Sequence, residues 1–177
     1  MAKIVPWSER KFEVPYPVEL LPELLVRLRG TAIRVDEMTR GITPPELLTS
    51  PAAERKWSAQ QHIGHLADME YLYQARVKDF LNGADVLTEG DLSNKKTGQA
   101  RHNETPLREI IAQFRNYRKQ TLSLVERLPP TEFERTAKHP GRGVTLRMID
   151  QFHMIAEHDD HHLAIIYSLV HPVHTGG

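Results

Sequence analysis

The chain has 177 residues, 23 basic and 23 acidic side chains, no cysteine, and an apolar fraction of 40%. That length suits one domain with a real core rather than two, and balanced charge gives no electrostatic case for nucleic acid or an anionic membrane. Without thiols there is no disulfide, thiolate metal site or cysteine nucleophile, and no apolar run approaches the roughly 18 residues of a membrane span. The N-terminus lacks an apolar signal core, so the expectation is a cytoplasmic protein.

Residues 1–16 read as an extended arm. Pro6 and Pro15, followed by Pro17, oppose a helix there, while Trp7, Phe12, Val14 and Tyr16 can pin the arm to a core. Over 18–40, Leu21, Leu24, Leu25, Leu28, Ile33, Val35 and Met38 predict a first helix with Gly30 as its weak point. Gly41 and Thr43-Pro44-Pro45 end it, and a short helical turn over 45–53 leads to Trp57. Ser58 with Gln61 makes a capping-box pattern for a second helix that stops at Gly83.

Residues 83–104 form a long polar connection, a length that usually signals function or disorder, with Asp91, Asn94, Lys95 and His102 as pocket candidates. Thr105-Pro106 opens a third helix that runs to Leu128 and ends at Pro129-Pro130. Its Arg108, Arg115, Arg118 and Lys119 read as an exposed face. A second loop region, 131–144, leads to a fourth helix over 145–170 capped by Thr145, and a flexible tail covers 171–177. Met148, Phe152 and Tyr167 read as core. No repeat and no strand-like alternation of useful length is present. The predicted fold is all-α, a four-helix bundle in a single domain over 1–177.

The fourth helix contains Glu157-His158-Asp159-Asp160-His161-His162, three histidines and three carboxylates in six residues of a chain with ten histidines. His158 and His162 lie one helical turn apart on the flank of an apolar arc, the spacing at which two imidazoles share a metal ion. His161 and His153 fall towards the wet side, with Glu157 and Asp160 on the solvated face. Asp159 falls near the middle of the arc, where a free carboxylate is costly. It either orients a metal-bound imidazole or pairs with an arginine such as Arg76. The second helix carries His62 and His65. His62 lies nearer the centre of the arc of Leu66, Met69, Tyr73, Val77 and Phe80, so spacing alone slightly favours it over His65. Asp68, one turn after His65, invites the same two readings as Asp159.

Trp57-Ser58 opening a helix, His65-Leu66-Ala67-Asp68, and Glu157-His158 followed by His162 together resemble the DinB-like superfamily of bacterial four-helix bundles. The likeness covers nearly the whole chain in helix order and loop placement. It implies a divalent metal, zinc or nickel, on His65, His158 and His162, and leaves His62 and His161 as neighbours without a family role. It also implies a small-molecule substrate, because members look like metal-dependent hydrolases or use low-molecular-weight thiols such as bacillithiol or mycothiol in transfer and isomerisation. The competing expectation is a non-catalytic or stress-induced bundle whose metal is structural. Leu20, Leu21, Leu24, Leu25, Val26 and Leu28 face more than one side of the first helix, which suggests a homodimer unless Trp7 and Phe12 cover them.

Overall fold

Four helical rods form the bundle, and the first is a joined pair. Helix α1 spans Leu21–Arg29 and α2 spans Thr31–Met38, with Gly30 between them. The structure, a computed structural model, describes residues 3–48, 57–91 and 93–171. The short helix α3 is Pro44–Leu48, and the rest of the expected turn up to residue 53 lies outside the described residues, as do 172–177 of the tail. The second rod is α4, Ala59–Leu81, and Ser58 caps it as expected: its Oγ accepts the Gln61 N–H at 3.1 Å while Gln61 Oε1 accepts the Ser58 N–H at 3.0 Å. A one-turn helix α5, Lys95–Gln99, precedes the third rod, α6, Leu107–Ser123, and the last is α7, Met148–Val170.

Two expectations need correction. Strand β1, Thr136–Lys138, pairs antiparallel with β2, Thr145–Arg147, within a stretch expected to be loop. Three residues per strand are too few for a period of two to stand out in the sequence. Thr145 therefore lies in a strand and does not cap α7. Arg147 takes that position, with its backbone N–H donating to Asp150 Oδ2 at 3.0 Å.

The core has two apolar layers with a polar layer between them. Leu24, Leu28, Val77, Phe80, Leu122, Phe152 and Ile155 belong to one, and Val35, Ile63, Leu66, Ile110, Phe114, Leu163 and Ile166 to the other. On every rod the residue separating the layers is polar: Thr31, Glu70, Arg118 with Thr121, and Asp159, all buried. The layer order gives the directions. The paired first rod and α7 cross the layers one way, while α4 and α6 both cross the other way. Two consecutive parallel rods require the chain to travel back along the bundle by about 25 Å, and this is why the connection after α4 is long. It runs antiparallel to α4, with Gly90 beside Leu72 and Arg76, Thr97 on Asp68, and Asn103 on Ser58. The return path thereby becomes a wall of the site. Among the described residues no helix is long and apolar enough to cross a membrane.

Candidate metal centre

His158 and His162 sit one turn apart on α7, and His65 faces them from α4. One ring nitrogen of each meets the other two, all three lying within 4.8 Å of one another. His65 Nε2 and His158 Nε2 are 3.4 Å apart. Two nitrogens on one tetrahedral ion at about 2.1 Å would be separated by about 3.4 Å. All three rings are buried.

The outer nitrogens are engaged. Thr97 Oγ1 donates to Asp68 Oδ2 at 2.9 Å, so its oxygen is free to accept from His65 Nδ1 at 3.1 Å. That assignment puts the His65 proton on Nδ1 and turns the Nε2 lone pair inward. Asp68 Oδ2 also takes His102 Nε2 at 2.9 Å. The Tyr73 hydroxyl lies 3.1 Å from His158 Nδ1, and His62 Nδ1 lies 2.8 Å from His162 Nδ1. Burial pushes the His62 and His65 imidazoles down to about 4, and it drives His158 and His162 well below the ordinary value, with neighbouring imidazoles adding to the effect. Neutral imidazole is the ligand form. Charge state, orientation and spacing of the trio all fit a divalent cation.

A cavity of about 540 Å³ opens beside the trio, with Trp57, Met69, Tyr73, Arg76 and Gln151 among its walls. Trp57 packs on His65, with ring centroids 4.8 Å apart, and Trp7 meets His158 edge-on at 5.0 Å. The arm is held across α7 by Arg10, which donates to the Glu157 carbonyl at 2.8 Å and its carboxylate at 3.0 Å, and by Tyr16 stacked on His153 at 4.3 Å.

Other candidates fall in different places. His161 is buried under Trp7 and lines the cavity, contrary to its wet position on the helical wheel. A wheel shows one helix and not the arm laid over it. Asp159 neither orients an imidazole nor meets Arg76, because it is bound by Arg118 and Thr31. The exposed reading of Arg118 is therefore wrong, since the residue is only 3% exposed. Glu157 and Asp160 are half-buried in ion pairs with Arg10, Arg27 and Arg34. Asp91 and Asn94 line the cavity, whereas His102 is buried against Gly64. Met148 and Phe152 are core, but Tyr167 is 48% exposed. Thr97, Tyr73 and Gln151 were not singled out from the sequence. Thr97 carries no signal within a polar connection, and in the sequence Tyr73 is one more residue of an apolar arc.

A family model described as the DinB superfamily matches residues 27–166. A curated relative from Oceanobacillus iheyensis, named "Putative metal-dependent hydrolase OB0782", is 29% identical over 152 residues, 86% of this chain and 81% of its own. Among solved structures, YfiT from Bacillus subtilis, titled "a probable metal-dependent hydrolase with an unusual four-helix bundle topology", aligns with a TM-score of 0.77 at 20% identity over 91% of both chains. A mycothiol-dependent maleylpyruvate isomerase aligns with a TM-score of 0.64 at 11% identity, covering 84% of this chain and 60% of that one. At these identities the two structures speak for the fold. The names of the relatives and the histidine trio together support a divalent metal.

Proposed function

The chain belongs to the DinB superfamily, and from that premise we propose that it is a metal-dependent enzyme whose His65, His158 and His162 hold one zinc or nickel ion. The observation that carries this reading is the convergence of three buried, neutral imidazoles at the wall of a cavity of about 540 Å³. When bound, such an ion supplies Lewis acidity, lowering the pKa of a water in a hydrolase or of a small thiol in an S-transferase. His162 then carries its proton on Nδ1 and donates it to His62, as His65 does to Thr97 and His158 to Tyr73. Burial pushes the Tyr73 hydroxyl upward, so it keeps its own proton. Trp57 and Trp7 shield the rings from water, and the cavity takes a small-molecule substrate.

The alternative is an ion that only ties α4 to α7. The open cavity beside the trio favours chemistry, because a purely structural ion is normally sealed by protein ligands. We assign the chain, as one domain, to the cytoplasm. We also propose a homodimer through the first rod, where Val26 is 68% and Ile33 61% exposed. A monomeric mass at micromolar concentration would remove the dimer.

The test of the metal reading compares wild type, chelated wild type and His162→Ala. Elemental analysis should find stoichiometric metal only in untreated wild type. Calorimetry should show cooperative unfolding in all three, with a modest fall in Tm for the metal-free samples, since the two apolar layers carry the fold. Loss of cooperativity in both metal-free samples would mean that the ion is a structural staple.

A further inference from the structure

We propose that Arg76 forms an anion subsite at the far end of the same cavity, and that the substrate is an elongated molecule bearing a carboxylate there. The placement of its reacting end at the histidines rests on the function proposed above. The anion subsite itself does not.

Arg76 lines the cavity and is only 5% exposed, yet it makes no ion pair among the described residues. Its Nε donates to the Thr88 carbonyl at 2.9 Å, and its Nη1 lies 3.3 Å from Gln151 Oε1 and 3.1 Å from His139 Nε2. None of these acceptors is charged, because burial and the nearby Arg76 and Arg142 push His139 down to about 4. Arg118, the other deeply buried arginine among the described residues, sits between two carboxylates. A guanidinium stays protonated in a protein, and a buried charge without a counter-ion is costly. Arg76 carries that cost with Nη2 unpartnered among the described residues. Beside it is Gly90, where a Cβ would lie 3.7 Å from Nη2, so no side chain closes that side. The nearby acidic residues do not pair with it: Asp79 acts on Arg76 only through space and takes the Thr88 N–H at 2.6 Å, Asp91 is already engaged by Ser93 and the Lys95 N–H, and Glu89 is exposed at the rim. Arg142, stacked over Phe12 at 4.9 Å, adds positive charge to the same cavity.

The helical frame sets the ligand's length. Arg76 follows His65 by three turns on one face of α4, and Gln151 precedes His158 by two turns on α7. Allowing for the reach of the arginine, the carboxylate and the reacting group are separated by about 10 Å. Met69, Leu72, Met154 and Ile155 also line the cavity and suit an apolar spacer.

The test uses zinc-loaded protein and two matched pairs of probes, 6-mercaptohexanoate against 6-mercaptohexanol and hexanoate against hexanol. Binding is read by the fluorescence of Trp7 and Trp57, the chain's two tryptophans, both of which line the cavity. Wild type should bind each carboxylate about ten-fold or more tightly than its alcohol, as a charge-assisted pair requires. Arg76→Gln should erase that preference, and Arg76→Lys should restore part of it, which also guards against misfolding of the first variant. Equal binding of acids and alcohols by wild type overturns the subsite. So does a preference that survives in Arg76→Gln, because the acid would then be sitting on the zinc. If the thiols bind no better than their thiol-free partners while the Arg76-dependent preference stands, the metal reading fails and the subsite remains.

Discussion

Arg118 of α6 grips Asp159 of α7 with two hydrogen bonds, Nη1 to Oδ2 at 2.6 Å and Nη2 to Oδ1 at 3.0 Å. Its Nε reaches Glu70 of α4 at 2.6 Å and its Nη1 also donates to the Leu28 carbonyl of α1 at 3.1 Å, so one guanidinium joins all four rods midway between the apolar layers. Thr31 completes the layer by donating to Asp159 Oδ2 at 2.7 Å. A polar layer of this kind fixes the register of the rods, because any slide leaves a buried charge unpaired.

Replacing Arg118 with Met strands two carboxylates that are both 0% exposed. The expected cost is about 3–5 kcal/mol, the range for breaking a buried pair from one side. Thr31→Val, which removes a single donor to Asp159, should cost only about 1–2 kcal/mol. Urea unfolding at neutral pH measures both. A loss below about 1 kcal/mol for Arg118→Met would mean that water reaches the layer.

Thr97 relays the charge of Asp68 to His65 through one hydroxyl. Thr97→Val keeps the shape and removes that link, so His65 should lose its fixed tautomer while the bundle stays intact. Metal affinity, measured by competition with a chromogenic chelator, should fall about 10–100-fold. Thr97→Ser should recover most of it. Equal affinity in the valine variant would show that Asp68 and Thr97 serve only the return path of the chain.

A Cβ at Gly64 would lie 2.3 Å from the His102 ring. That ring cannot easily retreat, since Nε2 is held by Asp68 and the His102 carbonyl accepts from Gln60 Nε2 at 2.6 Å. Gly64→Ala should therefore cost about 1–3 kcal/mol despite the better helix propensity of alanine, and it should loosen the metal through Asp68 and Thr97. Gly98→Ala is the control, because nothing lies within 4 Å of its added Cβ. It should be neutral or gain up to about 1 kcal/mol. Equal effects at the two positions would dismiss the steric argument.

The sequence announced most of the bundle because apolar repeats, Ser58 with Gln61, and the Gly30 break are local signals. The i,i+4 relation of His158 and His162 was equally local. Spacing alone leans to His62, whereas the ring that converges with His158 and His162 is that of His65; both lie near the same arc, and the choice depends on how α4 is rotated against α7. Arg118 reads as exposed in the sequence because the third helix carries several basic residues, and nothing local shows that two carboxylates wait for one of them. Residue 97 and the covering of His161 by Trp7 depend on chain segments that return from far away, which no window of sequence reports.

The buried imidazoles should also make the metal-free protein sensitive to acid. His62 and His65 are pushed to about 4, and His158 and His162 fall well below the ordinary value, all chiefly through burial. Between about 4 and the unfolded value near 6.5, the unfolded chain binds protons that the native chain refuses. Stability therefore rises with pH in that window. It is fully present above about 6.5 and is lost as pH falls towards 4, at about 1.4 kcal/mol per pH unit for each such imidazole. Glu70, whose carboxyl burial pushes upward, works in the opposite sense but is one group against these four, and burial also lowers His139, His153 and His161. Asp68 contributes only at lower pH, because hydrogen bonds from His102 and Thr97 outweigh its burial and hold it below the usual carboxylate range. Denaturant midpoints of chelated protein from pH 7.5 to 4.5 should fall steeply below about 6.5, and His62→Gln should make the slope shallower. A flat profile across that window would show that the rings take up protons in the native state, and with it the neutral, lone-pair-inward trio would be lost.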